Sequence, residues 1–420
     1  MSGRLESGLF FPALAAAMSG PSGLLSRLKD RRGLDELWRL LPEARLVGGS
    51  VRDLLRGVPV HDLDLATPDA PEDVLRTLKA GGVKVVPTGL AHGTVTAVIR
   101  GEPYEITTLR RDEETDGRHA VVAWTTDWAE DAARRDFTIN AMSLDRHDVL
   151  HDYFGGIQDL ADHRVRFVGE AGRRIDEDAL RALRFFRFDA RYGHGEPDAE
   201  ACHAISKRLE LIDALSAERI ASELLRILIG PQVVETLSVM KDVGLLAHLV
   251  PASDVHALRR LLACQAPEDA LLRLFALCHA DWSGLGERLK LSNAERDRLR
   301  QFGDNTPTLW PAMSDDDLRR ARFQQSLPVL LDRSWLTQAF ALGARDKGWD
   351  VFRERLQQLP QPVFPLTGQD AKDAGLLPGP AMGAWLKAGK SWWLKEGCRP
   401  DGKACLAYLA ETSKMVRKSD

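Results

Sequence analysis

The chain is poor in cysteine. Five occur in 420 residues, Cys202, Cys264, Cys278, Cys398 and Cys405, and no two stand as Cys-x-x-Cys. The missing pair excludes a zinc ribbon and a thioredoxin-like site. Sparse thiols in odd number suit the reducing cytoplasm rather than a disulfide scaffold. Long apolar runs are missing too. None reaches the roughly 18 residues of a membrane span, which excludes an integral membrane protein. Neither sign of charge dominates: 57 basic and 61 acidic residues leave a formal net charge of -4. A polycation that coats nucleic acid over its whole surface is excluded, while a local basic face is not. Leu9 to Met18 mimics a signal-peptide apolar region, but Pro12 interrupts it and only Arg4 precedes it. It reads as an irregular extension. Internal repeats and low-complexity tracts are also lacking.

What is present is an ordinary globular composition, 44% apolar and 28% charged. At roughly 100–200 residues per domain, the length suggests two to four domains. Residues 1–33, rich in Gly, Ser and Pro, look like a lead-in, and Leu34 to Leu41 reads as a short amphipathic helix. Up to about residue 170, short β-type runs alternate with glycine turns: Ala44–Val47, Lys84–Val86, Thr94–Ile99, Tyr104–Leu109 and Val165–Val168. Beyond Ile175 the apolar spacing turns helical, as in Glu177–Arg191, Ala199–Arg208 and Ala217–Ile229. The fold class expected is α+β: a small mixed sheet over 34–170, then helices over 171–230, 231–360 and 361–420. Seven of the ten tryptophans follow residue 281, so the C-terminal part has its own aromatic packing.

The chemistry starts at Leu46-Val-Gly-Gly-Ser-Val-Arg-Asp53, followed by His61-Asp-Leu-Asp-Leu-Ala-Thr67. Gly48 and Gly49 permit a tight turn and leave room for phosphate oxygens near backbone N–H groups. A helix opening at about Ser50 adds an anion-attracting N-terminus, and Arg52 adds a forked cation one turn in. Asp62 and Asp64, two apart on a strand, point to one face. Two hard oxygen donors beside a phosphate cradle suit Mg²⁺ bridging triphosphate oxygens.

These motifs resemble those of class II CCA-adding tRNA nucleotidyltransferases and bacterial poly(A) polymerases. Arg134-Arg-Asp-Phe-Thr-Ile-Asn140, Asp152-Tyr-Phe-Gly-Gly-Ile-Gln-Asp-Leu160, Glu177-Asp-Ala-Leu-Arg181 and Ser216-Ala-Glu-Arg-Ile-Ala-Ser-Glu223 follow in the family's order. The resemblance is tight from about Arg45 to Ile229. It is looser at Leu376–Gly383, which resembles a tail segment of tRNA-binding members. It implies a nucleotidyltransferase head (34–170), a neck with a nucleotide-selecting helix (171–230), a body (231–360) and a tRNA-binding tail (361–420). It also implies CCA addition to the tRNA 3′ end from CTP and ATP, with Mg²⁺ held by Asp62 and Asp64. The partners would be tRNA, through its 3′ end and acceptor or elbow region, and the two nucleotides, with no membrane. A poly(A) polymerase, a CC-only or A-only enzyme, and a non-catalytic RNA-binding relative are the alternatives. The chain ends near neutrality, without the basic extension usual in poly(A) members, and both aspartates are present.

On a helix from about Asp176, Arg181, Arg184, Arg187 and Arg191 form one stripe with Asp178 beside it. On an unknown surface this would be a solvated face with Asp–Arg pairing at i, i+3. A carboxylate beside a guanidinium also matches the amino donor and ring-nitrogen acceptor that cytosine and adenine both present. Uracil and guanine present the reverse order. The resemblance gives that role to Asp178 and Arg181, with Arg184 and Arg187 supporting the nucleotide. Arg135 is a candidate triphosphate or sugar clamp, and Asp136 and Asn140 would orient it or hold the ribose. Asp136 also reads as a helix N-cap. Glu105 is either a third metal-side carboxylate, the base near the attacking hydroxyl, or a polar strand face. The charged stretch Arg110–Trp124 reads as a loop, and the resemblance makes its presence favour full CCA addition. Cys264, Cys278 and His279 read as parts of buried helix rather than a metal site. The Trp392-Trp393 pair reads as core rather than an RNA-stacking platform.

Overall fold

The computed structural model describes residues 22–60, 62–90, 93–112 and 122–416. Leu9–Met18, His61 and the centre of the expected loop, 113–121, lie outside the described residues. The chain divides into two compact units, 1–249 and 250–420.

The first unit is built on a seven-stranded mixed sheet. Its strands are β1 (Arg45–Val47), β2 (Leu63–Thr67), β3 (Lys84–Gly89), β4 (Thr94–Ile99), β5 (Glu102–Thr108), β8 (Met142–Leu144) and β9 (Leu150–Asp152). A separate pair, β6 (Arg110–Asp112) and β7 (Val122–Trp124), frames residues 113–121. The sheet order is β3-β4-β5-β2-β1-β8-β9. Alternation puts Val95, Ala97 and Ile99 of β4 in the core. Helix α1 (Arg32–Leu40) buries Leu34, Leu37 and Trp38 at helical spacing, and the Trp38 indole donates to Ala44 O at 2.7 Å. The expected lead-in is not loose from Ser22 onward. Leu24 and Leu25 are buried, and the Ser22 hydroxyl donates to Asp148 at 2.9 Å.

Two local expectations are corrected. Val165–Val168 is not a strand. Phe167 makes only an isolated bridge to Phe137, because the segment pairs with the short Asp136–Thr138 turn instead of the sheet. Second, the helix expected through Glu177 is broken. Helix α6 (Ala171–Glu177) ends, Asp178 is extended, and helix α7 (Leu180–Tyr192) starts afresh. The Asp178 carboxylate accepts from Leu180 N at 3.1 Å, and such local side-chain capping competes with helix continuation. Asp178 therefore precedes the arginine stripe rather than lying along it. β8 and β9 were not legible, because three-residue strands carry no alternation.

Among its described residues the second unit is helical throughout. One core gathers Leu309, Leu318, Leu330, Trp349, Phe352 and Leu356. Another gathers Leu366, Trp393, Cys405 and Leu409. Trp393 is buried, and Trp392 stacks on Tyr408 at 4.5 Å, so both tryptophans serve packing. Cys264 and Cys278 are buried, and burial pushes the Cys278 thiol up to about 12.

Candidate active site

The site sits where β1 turns into helix α2 (Gly49–Leu55). Gly48 has φ +64° and ψ -126°, a backbone that side-chain-bearing residues rarely adopt. A Cβ there would lie 3.1 Å from an Arg135 guanidinium nitrogen, and one on Gly49 3.4 Å from Arg52. The glycines thus let two cations approach the turn. Helix α2 has only seven residues, so these guanidinia carry more of the cradle's positive field than its dipole.

The buried Arg52 is held on several sides. It donates to Asn140 Oδ1 at 2.5 Å and Asp53 at 3.0 Å, and lies 4.3 Å over the Tyr192 ring. Asn140 donates on to Asp136 at 3.0 Å, and Asp136 accepts from Arg184 at 2.9 Å. Burial alone would raise the Asp136 carboxyl. Arg184 beside it and the hydrogen bond from Asn140 outweigh that and hold it below the usual range. Asp136 thus anchors this network instead of capping a helix.

On the facing strands, Asp64 of β2 is the register partner of Glu105 on the parallel β5. Asp62 lies just before β2. Burial raises the Asp64 pKa, with the charges of Glu105 and Asp62 adding to it and Arg135 opposing. Crowded carboxylates of this kind gain from a cation between them. No group of three His, Cys, Asp or Glu converges among the described residues.

Sequence reading missed Ser50, taken only as a helix start. Its buried hydroxyl donates to Asp62 O at 3.0 Å and accepts from Asp64 N at 3.1 Å. One side chain therefore pins the backbone of the Asp-x-Asp pair to the glycine turn.

An open cleft of about 460 Å³ brings together Gly49, Arg52, Asp64, Arg135, Asp178, Arg181 and Arg184. Gly48, Arg134, Asp136, Asn140 and Phe188 complete its wall. Asp62, Glu105 and Arg187 do not line it. Arg187 is turned to Glu223, at 2.6 Å. Asp178 and Arg181 share the cleft without pairing. Arg181 bonds Glu177 at 2.5 Å and Arg134 O at 3.2 Å, while Asp178 bonds Arg219 at 2.8 Å. Glu177 and Arg219 lie inside the recognised motifs, but spacing did not show which partner each takes. The Asp152–Leu160 motif is architectural. The Asp152 carboxylate accepts from Gly156 N and Ile157 N, both at 2.9 Å, and Asp159 accepts from Thr138 at 2.5 Å. A Cβ on Gly156 would meet Thr138 O at 2.2 Å.

Known proteins resemble this chain in sequence and in fold. Residues 44–166 match the poly A polymerase head domain, and 196–256 match the probable RNA and SrmB-binding site of polymerase A. The mouse (Mus musculus) mitochondrial CCA tRNA nucleotidyltransferase 1 is 35% identical over 379 residues, covering 88% of this chain and 87% of the relative. The chain belongs to the CCA-adding tRNA nucleotidyltransferase family. The Geobacillus stearothermophilus CCA-adding enzyme is 33% identical over 366 residues, covering 82% and 86%. The crystal structure of the Bacillus stearothermophilus CCA-adding enzyme in complex with CTP superposes with a TM-score of 0.73 at 27% identity. It covers 93% of this chain and 100% of that one. Among the described residues, no helix is long and apolar enough to cross a membrane.

Proposed function

We infer that the protein adds C, C and A to the 3′ end of tRNA from CTP and ATP, without a nucleic-acid template. The tRNA 3′ oxygen forms a bond to the α-phosphorus of the nucleotide. The bond to the β-phosphate oxygen breaks, the hydroxyl proton is lost, and pyrophosphate leaves. The observation that carries the reading is one cleft holding a glycine cradle, Asp64 and the Asp178/Arg181 pair.

Arg52 and Arg135 bind the triphosphate over Gly48 and Gly49. Asp62 and Asp64 would hold Mg²⁺, with Glu105 beside Asp64 as the third carboxylate. The cation would supply a lowered pKa at the 3′-hydroxyl and charge neutralisation at the triphosphate. Asp178 accepts from the exocyclic amino group of the base, and Arg181 donates to its ring nitrogen. Both first release partners they hold here, Arg219 and Glu177. Arg184 braces the pocket through Asp136. Arg187, turned to Glu223, supports α7 rather than the nucleotide. We read residues 34–170 as head, 171–230 as neck, 231–360 as body and 361–420 as a tRNA-binding tail. The five unpaired cysteines support a reducing compartment, the cytoplasm in our reading.

The test is to incubate the protein with tRNA lacking its CCA end and CTP, ATP, UTP or GTP, singly and mixed, and read product length. Two additions with CTP and a third with ATP are expected. Long A tails would make it a poly(A) polymerase; a stop at CC, or A added only to CC-ended tRNA, a partial enzyme. Asp62→Ala and Asp64→Ala should each abolish incorporation while tRNA still binds. No extension by the unaltered protein would leave only an RNA-binding role.

A further inference from the structure

We propose that Asp131 is a positioning residue for nucleotide binding and choice: one buried carboxylate that aims Arg135 at the triphosphate and, through Arg134, Arg181 at the base. This rests on the CCA-addition reading and deepens it.

Asp131 belongs to helix α4 (Trp128–Ala133), does not line the cleft, and is 2% exposed. Its two oxygens divide between consecutive arginines. Oδ1 accepts from Arg134 Nε at 2.8 Å, and Oδ2 accepts from Arg135 Nη2 at 3.1 Å. The other Arg135 Nη nitrogen lies over the Gly48 turn. The Arg135 guanidinium is thus suspended between Asp131 and the phosphate cradle, close enough to Asp64 to oppose its rise in pKa.

The same carboxylate reaches the base-reading side. Arg134 O accepts from Arg181 Nη2 at 3.2 Å, and Arg135 O accepts from Arg174 at 2.8 Å. The backbone of residues 134 and 135 is therefore gripped from both flanks. Asp131 holds the two side chains, and the guanidinia of Arg174 and Arg181 hold the two carbonyls. Freeing the side chains moves the acceptor on which Arg181 rests. A third donor, Arg110 N at 3.3 Å on Oδ1, ties strand β6 to the same carboxylate. Burial alone would raise the Asp131 carboxyl, but Arg135 and Arg134 outweigh it and keep it below the usual range. It stays a full negative charge, which both arginines need.

Asp131→Asn is the informative change. The amide keeps one acceptor and turns two N–H donors toward guanidinium donors, so at least one arginine loses its partner. Nucleotide affinity is read by equilibrium dialysis with CTP and ATP in the absence of tRNA. Choice is read as kcat/KM for CTP, ATP, UTP and GTP on tRNA lacking CCA. Asp131→Asn is expected to weaken CTP and ATP binding about tenfold and to narrow the CTP-over-UTP ratio about tenfold. The thermal midpoint falls because a buried ion pair is broken, so all assays are run well below it, and there tRNA affinity should stay as in the unaltered protein. In the Arg135→Ala background the affinity loss from Asp131→Asn should vanish, because its partner is gone. Unchanged affinity with unchanged ratio would overturn the proposal, as would a fall in kcat alone. If Asp131→Asn does not fold, Arg134→Gln decides. It must narrow the ratio, and failure to narrow it also overturns the proposal. The unaltered protein in the same assay separates the two readings. If it adds no C and A, the assigned function fails, whatever Asp131 does.

Discussion

A single hydroxyl shows how much the Asp62 and Asp64 carboxylates depend on a group outside the cleft. Ser50 Oγ closes a bridge between Asp62 O and Asp64 N, in a place with almost no water to replace it. Ser50→Ala leaves a donor and an acceptor unpaired, each costing about 1–3 kcal/mol if it stays buried. The segment relieves this by shifting, which misplaces both carboxylates. We expect Ser50→Ala to raise the Mg²⁺ concentration for half-maximal incorporation severalfold and to lower Mn²⁺ binding measured by EPR without nucleotide. Ser50→Thr, which keeps the hydroxyl, should restore most of both. Unchanged Mn²⁺ binding in Ser50→Ala would remove Ser50 from this role. The spacing of Asp62 and Asp64 was readable because a strand has period two. The pairing of Asp64 with Glu105 was not, because parallel register between distant strands is set by the intervening chain. Ser50 was invisible for the same reason. Its partners lie at the start of β2, 12 and 14 residues further along, after the chain has turned back.

Among the elements, α7 concentrates both the successes and the failures of the sequence reading. Its arginine stripe follows from helical period, and its buried face carries Leu183, Phe186 and Ala190 as that period requires. Its start was misplaced because Asp178 serves as a local cap, a choice composition does not announce. The carboxylates that hold the stripe come from other segments: Asp136, Glu177 and Glu223. The far end of the helix carries an unfavourable charge. Burial, with the charge of Asp198 adding to it, raises the Asp189 pKa to about 6. It also lies in the last helical turn, where the dipole disfavours a negative charge. A carboxyl whose folded pKa is raised favours the fold below its unfolded pKa, and that contribution fades as pH climbs through about 6. Asp189→Asn should therefore stabilise the protein at pH 8, by about 1–2 kcal/mol after allowing for solvent screening, and make little difference at pH 4. Denaturant unfolding at the two pH values reads this directly. An equal effect at both would mean that shape rather than charge decides.

At the scale of the whole molecule, charge balance excluded an all-over polycation but did not say which cations are free. The structure narrows this. Arg181, Arg184 and Arg187 each face a carboxylate, so the arginine stripe is largely neutralised. In the tail, Lys387, Lys390 and Lys395 on the helix Pro380–Lys395, and Lys403 on the helix Gly402–Val416, are exposed. Among the described residues no carboxylate pairs with them, and Lys390 makes a contact 4.7 Å over the Phe323 ring. Lys387 and Lys390 are three apart and so share a helix face. If the tail binds tRNA, these lysines rather than the stripe release counterions. Log affinity for tRNA should then fall linearly with log salt, despite the net charge of -4. Replacing Lys387 and Lys390 together by alanine should flatten that slope by about 2, roughly 1 per lysine. Nucleotide choice should not move, because the proposed base readers, Asp178 and Arg181, lie in the cleft. Filter binding across a salt series, beside kcat/KM for CTP and UTP, separates the two effects. An unchanged slope in the double variant would take the tRNA contact away from this helix face.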